Sequence, residues 1–403
     1  MNQIEKLIEE LCPDGVEYKP LGSLGVRNKG IPITAKKMRD IADNTGDIKI
    51  FAGGKTSVQA QSTSIESKGI FYKPSIIVKS RGYIGFEYYD QPFTHKSELW
   101  SYSINENGNI NQKFVFYYLT TKSPQLQEYA RATSVKIPQL SVKDTDTLPI
   151  PIPPLVIQNE IVTILDTFQS LEAELEAELE ARKKQYEFYR DQLLTFYRER
   201  VRWVTLSEIC SIKGRIGFRG YTKADIVPQG HGAISLSPAN IKYSTLTLEH
   251  STYISWEKYK ESPEIQVQAG DILFCKTGST LGKVTYLKEI ESPATINPQM
   301  VLLKSPKCLP QYLAYSLQTA SVQLQITKYK GLGSVPNISQ TNLGRIRIPV
   351  PPLEEQQRIV NILDKFDALV NDLTSGLPAE IEARRKQYEF YRDQLLTFKE
   401  LSA

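Results

Sequence analysis

No stretch of this 403-residue chain is apolar for long enough to cross a bilayer, and its opening MNQIEKLIEELC is amphipathic rather than a charged-then-apolar leader. Membrane spanning and secretion are not expected, and a cytoplasmic location is. Cysteine is scarce: Cys12, Cys210, Cys275 and Cys308 are scattered with no CxxC pair, which fits free buried thiols better than zinc ligands or disulfides. The three histidines, His95, His231 and His250, form neither a triad nor a metal box. GSTLGKV at 278–284 is one residue short of a P-loop and lacks its Ser/Thr, while GGKTS at 53–57 has Lys49 where the first glycine belongs. Pro13, Asp14, Glu17 and Lys19 carry the letters of a nuclease metal site, but only two residues separate the carboxylates. NPQM at 297–300 is not an amino-methyltransferase motif, and no GxG follows a first strand for S-adenosylmethionine. No catalytic residue, metal ligand or cofactor site is expected in this chain.

What is present is a repeat. The run RKKQYEFYRDQLLTF at 182–196 returns at 384–398 with one change, Lys183 becoming Arg385. Upstream, Pro153, Pro154 and Leu155 pair with Pro351, Pro352 and Leu353, and Ile164, Leu165 and Asp166 with Ile362, Leu363 and Asp364, at a slightly smaller offset. The second copy has therefore gained residues near SGLP at 375–378. Searching for such periodicity comes before any division into domains. The plan reads as a variable domain at 1–150, a shared helix at 151–200, a second variable domain at 201–348 and a second shared helix at 349–403.

The net charge of +4 is unevenly distributed along this plan. Lys and Arg exceed Asp and Glu in both variable segments, most strongly in the second, while both shared segments are acidic. A polyanion would be drawn to the variable segments.

From Leu155 to Trp203 there is no Gly and no Pro, and LEAELEAELEARKK is dense in helix formers, so one helix of roughly 45 residues is expected. Ile161, Ile164, Leu165, Phe168, Leu171, Leu175, Leu179, Tyr186, Tyr189 and Leu193 fall in the three-four spacing of one buried stripe. The second copy repeats the stripe, but Gly376 and Pro378 predict a break. Two such seams are most simply buried against each other in an antiparallel pair. A coiled-coil homodimer through either helix is the alternative. The near identity of QYEFYRDQLL in both copies suggests one outward surface presented twice, with Tyr186, Tyr189, Arg190, Tyr388, Tyr391 and Arg392 as its partner-binding residues.

The variable segments read as mixed α and β. Short β-branched and aromatic runs such as IKIF at 48–51, SIIVKS at 75–80 and FEYYD at 86–90 are punctuated by turn residues, as are AISL at 233–236, DILFCKTG at 271–278 and KVTYL at 283–287. Helices are expected around 113–121 and 311–318. Both halves carry a strand followed by a basic, small-residue loop, IIVKSRGYIG at 76–85 and ILFCKTGSTLG at 272–282. A second pair, RATSVKIPQLS at 131–141 and GLGSVPNIS at 331–339, is also in register. Glycine lets backbone approach a phosphate, and the cations beside it supply charge. The candidate DNA contacts are Lys79, Arg81, Tyr83 and Lys136 in the first domain and Arg215, Arg219, Lys276, Thr277, Ser279 and Lys330 in the second.

LCPDGVEY at 11–18, PIPPL and PVPPL, EIVTILD and RIVNILD, the LEAE tetrapeptides and the doubled aromatic run together resemble the specificity subunit of Type I restriction-modification enzymes. The resemblance implies an α+β fold with two target-recognition domains joined by two long helices pairing as an antiparallel coiled coil, in a pseudo-twofold repeat. Each domain would read one half of a split, asymmetric target in double-stranded DNA. The helices would dock two methyltransferase subunits, and motor-nuclease subunits would join them. S-adenosylmethionine, ATP and Mg would then reside on those partners. Each tetrapeptide of LEAELEAELEA adds about 6 Å of helix, or roughly two base pairs of duplex. A structural scaffold with two β-rich protein-binding domains is the competing reading.

Overall fold

Proline-rich ends close each half of the chain. In the computed structural model, which describes residues 3–401 apart from 105–108, 135, 198–200, 216–219, 243–244, 250, 332 and 373–374, strand Glu17–Pro20 pairs antiparallel with Pro149–Ile152. Strand Arg202–Thr205 pairs in the same way with Arg347–Val350. Tyr18 faces Pro151 and Trp203 faces Pro349. Proline donates no backbone hydrogen bond, so a two-stranded ribbon, which leaves an outer edge unpaired, is where it is tolerated.

The chain divides into two compact units, and the division cuts the shared helices. The first unit comprises 1–172 with 384–403, and the second comprises 173–383.

In the first unit, Gly25–Lys29, Trp100–Ile104, Ser75–Lys79 and Gly85–Tyr89 form an antiparallel sheet in that order. A second sheet holds Ser57–Ala60, Ile48–Phe51 and Phe93–His95, the last two strands parallel. Every residue of Ser75–Lys79 and of Trp100–Ile104 is buried, which suits their β-branched and aromatic content. Helix Gln112–Thr133 starts where the Asn111 side chain accepts from the Lys113 and Phe114 amides, and it buries Phe114, Val115, Tyr117, Tyr118 and Leu119. It runs well past the expected 113–121, continuing through Pro124.

The second unit repeats this order. Ser211–Gly214, Met300–Lys304, Ile272–Cys275 and Val284–Tyr286 make one sheet. Ile226–Val227, Thr252–Ile254, Ala233–Leu236 and Ala294–Ile296 make the other, again with one parallel pair. Here the long helix is two shorter ones, Pro310–Gln318 and Ala320–Tyr329, separated by an extended Thr319. The Ala320 amide at the second start donates to the Asp191 carboxylate at 2.9 Å.

Leu155–Leu193 is a single helix of 39 residues, shorter than the sequence implied. Neither Gly nor Pro stops it. Instead Leu194 is buried and Phe196 packs with it against Ile359, Val360 and Leu363, and the chain then enters the Arg202–Thr205 strand pair, so tertiary burial overrides local propensity. The second shared segment breaks as expected into Leu353–Asn371 and Leu377–Leu395. A Cβ at Gly376 would lie 2.5 Å from the Ala368 carbonyl oxygen, so only glycine fits the bend.

The helices pair antiparallel. In the first unit Phe168 meets Tyr391 and Glu172 meets Arg385, one number rising as the other falls. In the second, Tyr189 meets Phe366 in the corresponding way. Ile157, Ile161 and Leu165 are fully buried in the core of the first unit and Ile359 and Leu363 in that of the second, each worth about 1.5–3 kcal/mol of hydrophobic stabilisation. Leu171, which belongs to the expected stripe, is 44% exposed.

Candidate nucleic-acid interface

The two loop pairs that the sequence places in register are joined in space within each unit. In the first, the Gly82 amide donates to the Pro138 carbonyl at 2.8 Å and the Leu140 amide to Ser80 at 2.9 Å, with Arg81 bridged to Gln139. In the second, the Gly278 amide donates to Pro336 at 2.8 Å and the Ile338 amide to Lys276 at 2.9 Å, with Thr277 bridged to Asn337. Gly82 has φ +78° and Gly278 φ +97°, and a Cβ on either would meet nothing within 4 Å. The left-handed backbone explains the glycines, and the empty space beyond them marks the outer side of each turn. A glutamine from the following helix ties each loop down: Gln127 receives the Ile84 amide and donates to the Gly82 carbonyl, and Gln323 donates to the Gly282 carbonyl.

The candidate contacts divide sharply on this frame. Arg81, Tyr83 and Lys136 are exposed around the first loop pair, Tyr83 at 53%. Ser279 and Lys330 are exposed at the second, where Lys276 and Thr277 are half-buried. Lys79 and Arg215 are not at the surface. Lys79 is buried, pairs with Glu87 at 3.2 Å and lies over the Phe51 ring, and burial lowers its pKa from the usual lysine value. Arg215 is buried too, its guanidinium donating to the Ile296 carbonyl and the Thr295 hydroxyl, so its charge is spent inside the domain. Both were expected at DNA, but Lys79 ends a strand whose every residue is buried and Arg215, just past the Ser211–Gly214 strand, is turned into the domain by its own hydrogen bonds. Arg219 lies outside the described residues.

One residue escaped the sequence reading. Lys55, at the tip of the GGK turn that was weighed only as a phosphate loop, is exposed, and its ammonium lies 5.7 Å above the Tyr83 ring. A basic side chain on a glycine turn was the signal available. In the second unit a cavity of about 420 Å³ opens beside the loop, lined by Lys242, Thr277, Ser279, Thr280, Lys283 and Gln299.

The doubled aromatic run faces inward more than its identity suggested. Tyr186 and Arg190 are buried, Tyr388 is half-buried, and Tyr189 and Tyr391 contact Phe366 and Phe168. Arg190 and Arg392 bond the neighbouring Asp191 and Asp393 and lie over Tyr186 and Tyr388. Helix pairing thus accounts for the ring contacts of Tyr189 and Tyr391, while both arginines bond within their own helix and Tyr189 stays 38% exposed. What faces out is Phe188, 63% exposed, and its counterpart Phe390, 60% exposed. Phe188 borders a cavity of about 890 Å³ together with Phe196 and Tyr197.

All four cysteines are free, and burial pushes the thiols of Cys275 and Cys308 up to about 11, which makes them poor nucleophiles. Among the described residues no group of His, Cys, Asp and Glu could hold a metal ion, and no helix is long and apolar enough to cross a membrane.

Comparison with known proteins agrees with this layout. The pattern of the Type I restriction modification DNA specificity domain matches twice, at 13–181 and 201–383. The chain is 35% identical over 408 residues to the specificity subunit of the Type I restriction enzyme EcoR124I/EcoR124II of Escherichia coli, covering 99% of this chain and 97% of that one. Its fold is similar to the S subunit of a Type I restriction-modification system from M. genitalium, with TM-score 0.52 and 16% identity over 94% of this chain and 95% of that one. It is also similar to a chain from a structural study of assembly and conformational transition in the type I R-M system, with TM-score 0.58 and 16% identity over 95% and 98%.

Proposed function

This chain belongs to the Type I restriction-modification DNA specificity family, and on that premise we propose that it is a non-catalytic subunit reading a bipartite, asymmetric target in double-stranded DNA. The observation that carries the reading is the pair of glycine-turned, hydrogen-bonded loops that recurs in both units with different exposed side chains. Equivalent backbone frames bearing unlike residues suit two unlike half-sites. Exposed Arg81, Lys136, Ser279 and Lys330 are the kinds of group that bond phosphates and base edges.

Methyltransferase and motor-nuclease subunits supply methylation and cleavage in this reading, and S-adenosylmethionine, ATP and Mg belong to them. The twin helices dock two copies of the methyltransferase subunit. Phe188 and Phe390 are the anchors we assign to that contact, since they are large, exposed and repeated.

Titration of the assembled complex with target and scrambled duplexes at two salt concentrations tests the proposal. Affinity should fall steeply with salt for both, and the target should stay tighter throughout. A salt-insensitive interaction, or none, would favour the scaffold reading instead.

A further inference from the structure

The two loop frames are alike in backbone but unlike in their side chains, and the first carries an exposed arginine. Arg81 is exposed one residue before the Gly82 turn, its backbone bridged to Gln139, and among the described residues its side chain has no ion pair or hydrogen bond. The cations nearest it in sequence differ. Lys79 is committed to Glu87, and Glu87 also lies 3.8 Å from Lys49.

A second turn supports the arrangement. The 53–55 turn runs alongside, a Cβ on Gly53 lying 4.0 Å from the Arg81 carbonyl oxygen, and Gly54 (φ +65°) faces open space as Gly82 does. Lys55 then reaches across to the face of Tyr83, joining the tips of both turns on either side of Arg81. Tyr83 is held from behind, since its ring packs against Gly85, where a Cβ would come within 2.9 Å of it. The result is an exposed guanidinium beside a braced turn. At the matching place the second unit has Thr277 and Ser279, hydroxyls that bond either member of a base pair, and Lys276, which is half-buried.

We propose, resting on the DNA-reading function above, that Arg81 donates to O6 and N7 of a guanine in the major groove of the half-site read by the first unit. The matching position in the other half-site is read by hydroxyl groups. Lys55 and Tyr83 are positioning residues in this scheme: they brace the turn that carries Arg81.

The test uses the complex with its partner subunits. Methylated sites are mapped by single-molecule sequencing for wild type, Arg81→Ala and Thr277→Val, and binding is measured on duplexes carrying 7-deazaguanine, which lacks the N7 acceptor. Arg81→Ala should remove the preference for guanine at one position of one half-site, by on the order of 10- to 100-fold, and leave the other half-site unchanged. 7-Deazaguanine at that position should weaken wild type and leave Arg81→Ala indifferent. A motif unchanged in Arg81→Ala, with all duplexes bound more weakly by the same factor, would make Arg81 a phosphate contact and overturn the inference while leaving the DNA-reading function standing. A wild-type complex with no sequence preference would overturn both. Thr277→Val should alter only the other half-site, and a change in the Arg81 half-site would also count against the assignment.

Discussion

Phe168 stacks on Tyr391 with ring centroids 5.8 Å apart and planes inclined by 28°, and Phe366 repeats the contact with Tyr189 at 5.8 Å and 30°. Each ring pair joins the early part of one shared segment to the late part of the other. The doubled aromatic run is therefore used inside the chain, as the seam of a helix pair within each unit.

Phe168→Ala is expected to destabilise the first unit by about 2–4 kcal/mol, since the ring is half-buried rather than fully enclosed. In a double-mutant cycle with Tyr391→Ala the coupling should be about 0.5–1.5 kcal/mol. Thermal or urea unfolding of the four proteins measures both, and strict additivity would mean the rings do not interact.

Lys79 and Lys136 should behave oppositely in DNA binding. Lys136→Ala removes an exposed cation and should lower the slope of log affinity against log salt by about 1. Lys79→Met should leave that slope unchanged, because its charge is buried against Glu87. A slope altered by Lys79→Met would return that residue to the interface.

Phe188→Ala and Phe390→Ala should each weaken capture of the methyltransferase subunit by about 2 kcal/mol while leaving the melting temperature unchanged. Calorimetry with the purified partner gives the number. Full affinity in the double variant would rule these rings out as anchors.

Asp367 is expected to make the stability of the second unit depend on pH. Burial raises its pKa above the usual carboxylate value; a hydrogen bond from Asn371 opposes the rise, nearby Asp364 adds to it and Lys288 opposes it. A carboxyl that holds its proton more tightly in the fold favours the fold most below its unfolded pKa, and that advantage is lost as pH rises through the folded pKa. Asp367→Asn should therefore flatten the loss of stability from about pH 4 upward. Parallel melting curves for variant and wild type across that range would discard the idea.

Deleting Leu175, Glu176, Ala177 and Glu178 removes about 6 Å of helix, or roughly two base pairs. The gap between half-sites should shorten with both half-sites unchanged. Sequencing of methylated sites in the deletant decides it, and an altered half-site with an unaltered gap would defeat the expectation.

Much of this was legible from local rules. Repeated letters disclosed two similar units, three-four spacing disclosed the helices, Gly376 disclosed the break, and the loops in register disclosed the two frames that the fold zips together. Each depends on backbone geometry or periodicity, which neighbours in sequence control. Burial does not. Whether Lys79, Arg215 and Tyr186 are exposed or buried, and where the Leu155–Leu193 helix stops, depend on Glu87, Thr295, Ile359 and other residues far along the chain. Only the tertiary structure could decide those, because the free energy of a charge or a ring is set by what surrounds it, and here the surroundings arrive from distant segments.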